Sequence, residues 1–241
     1  MVGGVWGGVT EGVVAPANQV APRLSDGSRP RDTGAVRRTW LRAQAVAAGV
    51  GYLLGSIPTA DVAARHATNG AVDLRAAGSR NPGALNAIHS LGPGWGVVVG
   101  IADVAKGVMA CAFGRTVAGD VGAHVAGSAA VAGHCYPVWS GFRGGKGVAT
   151  ALGQSLATMP AAFPVELVVG ALGAVVPAQR RSFAVVAGLT AGWVGSAMFW
   201  WRQRRPNAWG CEPSPAMPIA ATVSSAIVLR RFAVDARRNG R

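Results

Sequence analysis

Formal charge is missing from six long stretches of this 241-residue chain, 43–60, 81–102, 121–142, 147–165, 182–201 and 213–229, and from a shorter one at 167–179. A hydrocarbon bilayer core about 30 Å thick asks for about 20 apolar residues of helix at a rise of about 1.5 Å each. Gaps of that length, repeated along a chain in which half the residues are apolar, point to an all-α, polytopic membrane protein. A soluble enzyme and a disordered chain are both excluded on this ground, since neither would gather its apolar residues into uncharged runs of spanning length.

Seven spans are expected, at about 43–64, 95–113, 121–139, 147–159, 161–178, 182–201 and 216–232. The fourth is short and broken by Pro160 and Pro164, so it reads as a partial or re-entrant segment. Trp40, Trp95, Trp139, Trp200 and Trp201 fall at the expected ends, where indoles anchor at headgroup level. The glycine and alanine content suits helices whose backbones approach closely. Residues 1–42 read as a disordered basic tail, 43–232 as one membrane domain and 233–241 as a second basic tail. The opening residues lack the basic start of a signal peptide.

The net charge of +13 raises nucleic acid as a partner. Its distribution argues for lipid instead: Arg23, Arg29, Arg31, Arg37, Arg38 and Arg42 precede the first span, Arg230, Arg231, Arg237, Arg238 and Arg241 follow the last, and most others flank spans. No nucleic-acid partner is expected. The count of basic residues on the two sides does not orient the chain. Cys111, Cys135 and Cys211 form no C-x-x-C pair, so neither a metal site nor a disulfide framework is expected.

Three polar segments interrupt the apolar pattern. Asp103 and Lys106 lie three residues apart inside the second span, either as an ion pair that serves packing or as a holder of an anion. Between the third and fourth spans, Gly141-Phe-Arg143-Gly144-Gly145-Lys146-Gly147 combines flexible backbone with two cations, the makings of a phosphate cradle. A nucleoside-triphosphate P-loop is excluded, because Ser140 stands where that pattern needs Gly and Gly147 where it needs Ser or Thr. His134, just before the cradle, is either an interfacial histidine or part of the site. The first interhelical loop carries Ser56, then Arg75, then Gly78-Ser79-Arg80-Asn81-Pro82-Gly83-Ala-Leu-Asn86, rich in hydroxyl, amide and guanidinium donors. A plain turn-rich loop would have a similar composition.

Two hydrolytic or acyl-transfer alternatives fail. Gly153-Gln-Ser155-Leu-Ala157 only approaches G-x-S-x-G and falls in a helix instead of a strand-to-helix turn. None of His66, His89, His124 or His134 has Asp five positions on, as the soluble-donor acyltransferases do. A non-catalytic protein that binds a lipid phosphate or a partner, and a small transporter, remain open on the polar residues alone.

Taken in order, G-S-I-P-T-A at 55–60, D-L-R at 73–75, G-S-R-N-P-G-A-L-N at 78–86, D-V-A-K-G at 103–107 and G-H-C-Y-P-V-W-S-G-F-R-G-G-K-G-V-A-T at 133–150 resemble the bacterial integral-membrane acyl-phosphate:glycerol-3-phosphate acyltransferase family. The resemblance covers about 43–205. It implies transfer of a fatty acyl group from acyl phosphate to the C1 hydroxyl of glycerol-3-phosphate, in the cell membrane, with the N-terminus outside, the site facing the cytoplasm, and no cofactor or metal. It also implies roles for Ser79 and Asn81 in catalysis and for the glycine loop, Arg143, Gly144, Gly145, Lys146 and Gly147, in phosphate binding; from their residue types and placement, Arg75 and Lys106 are added as phosphate ligands and His134 as a base, with the substrate phosphate as the other base candidate. Ser56, Asn86 and His89 are further candidates. Three positions of the first motif differ from the family pattern, with Arg80 in place of Gly, Leu85 in place of Thr and His89 in place of Arg. The family's C-terminal His-Arg-Glu-Asn run has no counterpart in Leu229-Arg-Arg-Phe-Ala-Val-Asp235.

Overall fold

The computed structural model describes residues 33–164, Val168 and 182–239, and every structured segment among them is helical. In chain order these are α1 (Thr33–Ser56), α2 (Thr59–Thr68), α3 (Ala84–Leu91), α4 (Pro93–Cys135), a 3-10 turn (Val138–Ser140), α5 (Val148–Thr158), α6 (Ser182–Gln203) and α7 (Ala216–Asn239).

The centre of the molecule is α4, which folds back on itself. Ala118 and Gly119 leave helical geometry, Gly119 at φ 67°, and the helix becomes a hairpin of two arms. Gly114 and Gly122 face each other across the turn: a Cβ on Gly114 would come 2.2 Å from the Gly122 carbonyl oxygen. Further along, Cys111 meets Gly127 and Asp103 meets His134, the pairing of two antiparallel arms. The second and third expected spans are therefore these arms, joined by a two-residue turn.

Helix α1 lies on the second arm by close backbone contact. Gly51 and Gly55, one turn apart, sit against Ala126 and Ala130, also one turn apart, with Ala47 buried in the same seam. Replacing either glycine by alanine would drive a methyl into a carbonyl, which is how small residues at four-residue spacing fix a helix pair in a bilayer. Helix α5 packs on the first arm in the same way, Gly153 on Val104 and Gly107 on Thr150. A buried polar network ties α4, α5 and α7: Ser224 Oγ donates to Gln154 Oε1 at 2.7 Å, and Gln154 Nε2 donates to Ser128 Oγ at 3.2 Å. Apolar side chains point outward as well as inward; Ile101 is 66% exposed and Ile219 61%. Such a skin would be a liability in water and is what lipid tails require.

Among the described residues, three helical stretches are long and apolar enough to cross a membrane, Thr33–Thr68, Pro93–Ser140 and Ala216–Arg237. Helix α5, at 11 residues, reaches about 16 Å. The expected fifth span, 161–178, falls mostly outside the described residues. Four boundaries differ from the sequence reading. Residues 33–42, assigned to the tail, form the first turns of α1, because Ala-Val-Arg-Arg-Thr-Trp-Leu-Arg is made mostly of good helix formers whose charges stay exposed. Helix α7 likewise runs past 232 to Asn239. The first span breaks at Ile57-Pro58, where proline lacks the N–H that would continue the ladder. And part of the first loop, Ala84–Leu91, is helical.

Candidate active site

The break between α1 and α2 opens a shallow surface cleft at the end of the bundle opposite the α4 turn. Its walls include Ser56, Pro58, Thr59, Arg75, Lys106 and His134. Gly144 and Gly145 of the glycine loop close one side.

The helical wall is a buried, mutually bonded cluster. Asp103 is 2% exposed and Lys106 3%. Lys106 Nζ donates to Asp103 Oδ1 at 2.8 Å and to Thr59 Oγ1 at 3.0 Å. Thr59 in turn donates its hydroxyl hydrogen to Asp103 Oδ1 at 2.7 Å, and His134 Nδ1 stands 3.5 Å from the same oxygen. An ammonium has three N–H donors. Two are taken, and the third belongs to a residue that lines the cleft. The sequence offered Asp103 and Lys106 as a pair; Thr59 and the approach of His134 come from the hairpin and from the proline break, neither of which their spacing reveals.

The loop wall is different. Arg75 forms an ion pair with Asp61 and donates from Nε to the Arg143 carbonyl at 2.8 Å, so one guanidinium joins the first loop to the glycine loop. Asn86 is buried and structural: its Oδ1 accepts from the Ser79 amide at 3.0 Å, and its Nδ2 donates to the carbonyls of Leu74 and Ala77. Ser79 is exposed, Asn81 is half-buried beside Gly83, and His89 is exposed on the last turn of α3. None of these four lines the cleft. Arg80 adopts φ 57°, a left-handed conformation that costs a side chain energy and that glycine takes freely.

The glycine loop departs from an amide cradle. Gly144 N–H donates to the Cys135 carbonyl at 3.2 Å and Gly145 N–H to the His134 carbonyl at 3.1 Å, so these two amides already have acceptors. The glycines are needed for contact instead: a Cβ on Gly145 would lie 2.2 Å from His134 Nε2, and one on Gly144 2.0 Å from the His134 carbonyl oxygen. Gly147, at φ 84°, begins α5 and packs on Cys135. Arg143 is exposed. Lys146 pairs with Asp235 Oδ2 at 2.8 Å and stacks over the Phe232 ring, 4.6 Å from its centre. Ser56, buried, donates to the Tyr52 carbonyl at 2.8 Å. No group of three or more metal-ligating side chains occurs among the described residues.

Sequence reading missed the contribution of α7. Arg231 donates to the Gly144 and Gly145 carbonyls, and Arg230 to the Tyr136 hydroxyl at 2.6 Å. Basic residues at a span end look like headgroup anchors whatever they touch, and the one hint in the sequence is that Arg230 stands about where the family's C-terminal histidine would.

A family model described as glycerol-3-phosphate acyltransferase matches residues 45–239. The glycerol-3-phosphate acyltransferase of Ruegeria pomeroyi is 38% identical over 173 residues, covering 64% of this chain and 83% of that one. That of Desulforudis audaxviator is 42% identical over 114 residues, 47% of this chain and 57% of its own length. Among solved structures, the glycerol 3-phosphate form of PlsY, an integral membrane glycerol 3-phosphate acyltransferase, superposes with a TM-score of 0.63 at 30% identity, covering 81% of this chain and 90% of that one. Its lysophosphatidic acid form gives the same TM-score at 28% identity.

Proposed function

The chain belongs to the glycerol-3-phosphate acyltransferase family, and from that premise we propose that it makes lysophosphatidic acid by moving a fatty acyl group from acyl phosphate to the C1 hydroxyl of glycerol-3-phosphate. The observation that carries this reading is Lys106, held in the cleft wall by Asp103 and Thr59 with one N–H donor unassigned, in the same cleft as Arg75 and His134. Both substrates bring a phosphate, and fixed cations are what two phosphates and a developing oxyanion need.

An acyl phosphate is a mixed anhydride, so the reaction needs no redox or carrier group. The C1 oxygen attacks the acyl carbonyl carbon and a C–O ester bond forms. The bond from that carbon to the phosphate oxygen breaks, inorganic phosphate leaves, and the hydroxyl proton passes to a base. His134 is the candidate protein base: it lines the cleft, with Asp103 at its Nδ1 and Gly145 against its Nε2. A phosphate oxygen of the bound substrate is the alternative acceptor. Lys106 and Arg75 neutralise charge. Gly144 and Gly145 set the wall position, and Arg143, Lys146 and Gly147 serve through the loop's field and shape. Ser79 and Asn81 reach substrate only from the rim. Seven spans, an outside N-terminus and a cytoplasmic cleft in the plasma membrane complete the reading, with Trp139 and Arg143 at one interface.

The test is direct. Purified protein given fatty acyl phosphate and glycerol-3-phosphate is expected to release lysophosphatidic acid and phosphate in equal amounts. No product above a protein-free background overturns the reading. Binding of glycerol-3-phosphate without turnover would instead identify a non-catalytic relative.

A further inference from the structure

The last helix turns one face toward the glycine loop. Val228, Arg231, Phe232 and Asp235 recur at three- and four-residue spacing, which places them along one stripe of α7. Val228 is buried against Val131 and Cys135 and fixes the helix in position. Above it, Arg231 Nη2 donates to the Gly144 carbonyl at 2.6 Å and Nε to the Gly145 carbonyl at 3.2 Å. One turn on, Asp235 holds Lys146. These are contacts to three successive residues of the loop from one side of one helix.

The polar backbone of the loop is satisfied in two directions. The amides of Gly144 and Gly145 donate to the carbonyls of Cys135 and His134 at the end of α4. The carbonyls of Arg143, Gly144 and Gly145 accept from guanidinium groups, the first from Arg75 and the other two from Arg231. The loop is thereby pressed onto the His134 ring, against which Gly145 lies too close for any Cβ. Arg231 faces carbonyls in these contacts, so what it supplies is orientation. A planar guanidinium can span two neighbouring carbonyls, whereas a lysine ammonium is a point donor on a flexible stem.

We propose that Arg231 is a positioning residue for the acyl transfer: by capping the Gly144 and Gly145 carbonyls it seats the glycine loop on His134 and so fixes both the cleft wall and the histidine ring. Asp235 assists by setting where Lys146 sits. The inference rests on the acyltransferase reading for its catalytic consequence, but its geometric content stands independently. Displacement of a reacting group by about 1 Å costs on the order of a hundredfold in rate.

The experiment compares Arg231→Ala, Arg231→Lys and the wild-type full chain, in the same detergent, by steady-state kinetics and by amide exchange of the segment holding Gly144 and Gly145. Arg231→Ala is expected to lower kcat on the order of tenfold to a hundredfold, more than it raises either KM, and to speed exchange in that segment. Arg231→Lys should fall between. Low millimolar guanidinium should restore part of the Arg231→Ala rate, which a general loss of packing would not allow. Wild-type kcat in Arg231→Ala overturns the proposal, as does slow turnover with unchanged exchange. If the wild-type protein forms no product, the acyltransferase reading falls on its own, and exchange decides the seating of the loop: faster exchange in Arg231→Ala supports it, unchanged exchange overturns it.

Discussion

The two walls of the cleft are built on opposite principles. On one, Thr59, Asp103, Lys106 and His134 come from three helical segments and bond to one another, the two charges and the histidine buried and Thr59 half-buried at the cleft. On the other, the segment around 73–83 is a loop tied down by Asn86 and Arg75, with Ser79 exposed and Arg80 in a left-handed conformation. The difference teaches where preorganisation resides. Charges buried in the helical wall are affordable only because each satisfies the other. Ser79 and Arg80 on the loop side face solvent, and Arg75 is the loop's fixed donor, held by Asp61 and the Arg143 carbonyl.

Breaking the helical wall should have the largest effect. Asp103→Ala leaves an ammonium buried without its carboxylate and is expected to cost about 3–5 kcal/mol of stability, with loss of product formation; unchanged thermal unfolding in detergent would contradict the cluster. Lys106→Met keeps the length of the side chain and removes its charge. It should lower kcat on the order of a hundredfold to a thousandfold in the lysophosphatidic acid assay, and a rate near wild type would remove Lys106 from the site. Arg75→Lys tests the seam between the walls: it keeps one charge and loses the fork that reaches both Asp61 and the Arg143 carbonyl. A fall in kcat/KM of about tenfold is expected, read by varying glycerol-3-phosphate. The loop wall should answer least. Arg80→Gly relieves a left-handed side chain and is expected to raise stability by about 1 kcal/mol, seen as a higher unfolding midpoint with activity near wild type. Destabilisation by that change would show that the Arg80 side chain holds the loop.

Legibility in the sequence followed the range of the interactions. Uncharged runs marked the helices because the bilayer constraint acts on each segment separately, and Asp103 and Lys106 announced themselves by intruding on such a run. The glycines of 144–147 were legible as a special loop, but the reason assigned to them was incomplete. Composition suggests a flexible phosphate cradle, and two of the glycines are needed for close approach to His134. Ser79, Asn81 and His89 are marked by their motif but lie outside the cleft lining, since where a polar side chain points depends on turns such as the left-handed one at Arg80. Arg231 carried no local signal at all.

The sequence by itself determined an integral membrane helical protein of the glycerol-3-phosphate acyltransferase family, since hydropathy is written residue by residue and the motifs are contiguous. Only the tertiary structure decided which of its many cations face the cleft. The α4 turn at Ala118 and Gly119 sets His134 beside Asp103, the break at Pro58 adds Thr59, and α7 lays Arg231 across the glycine loop. These contacts join residues far apart in the chain, so they arise from backbone geometry and helix packing that no single stretch encodes.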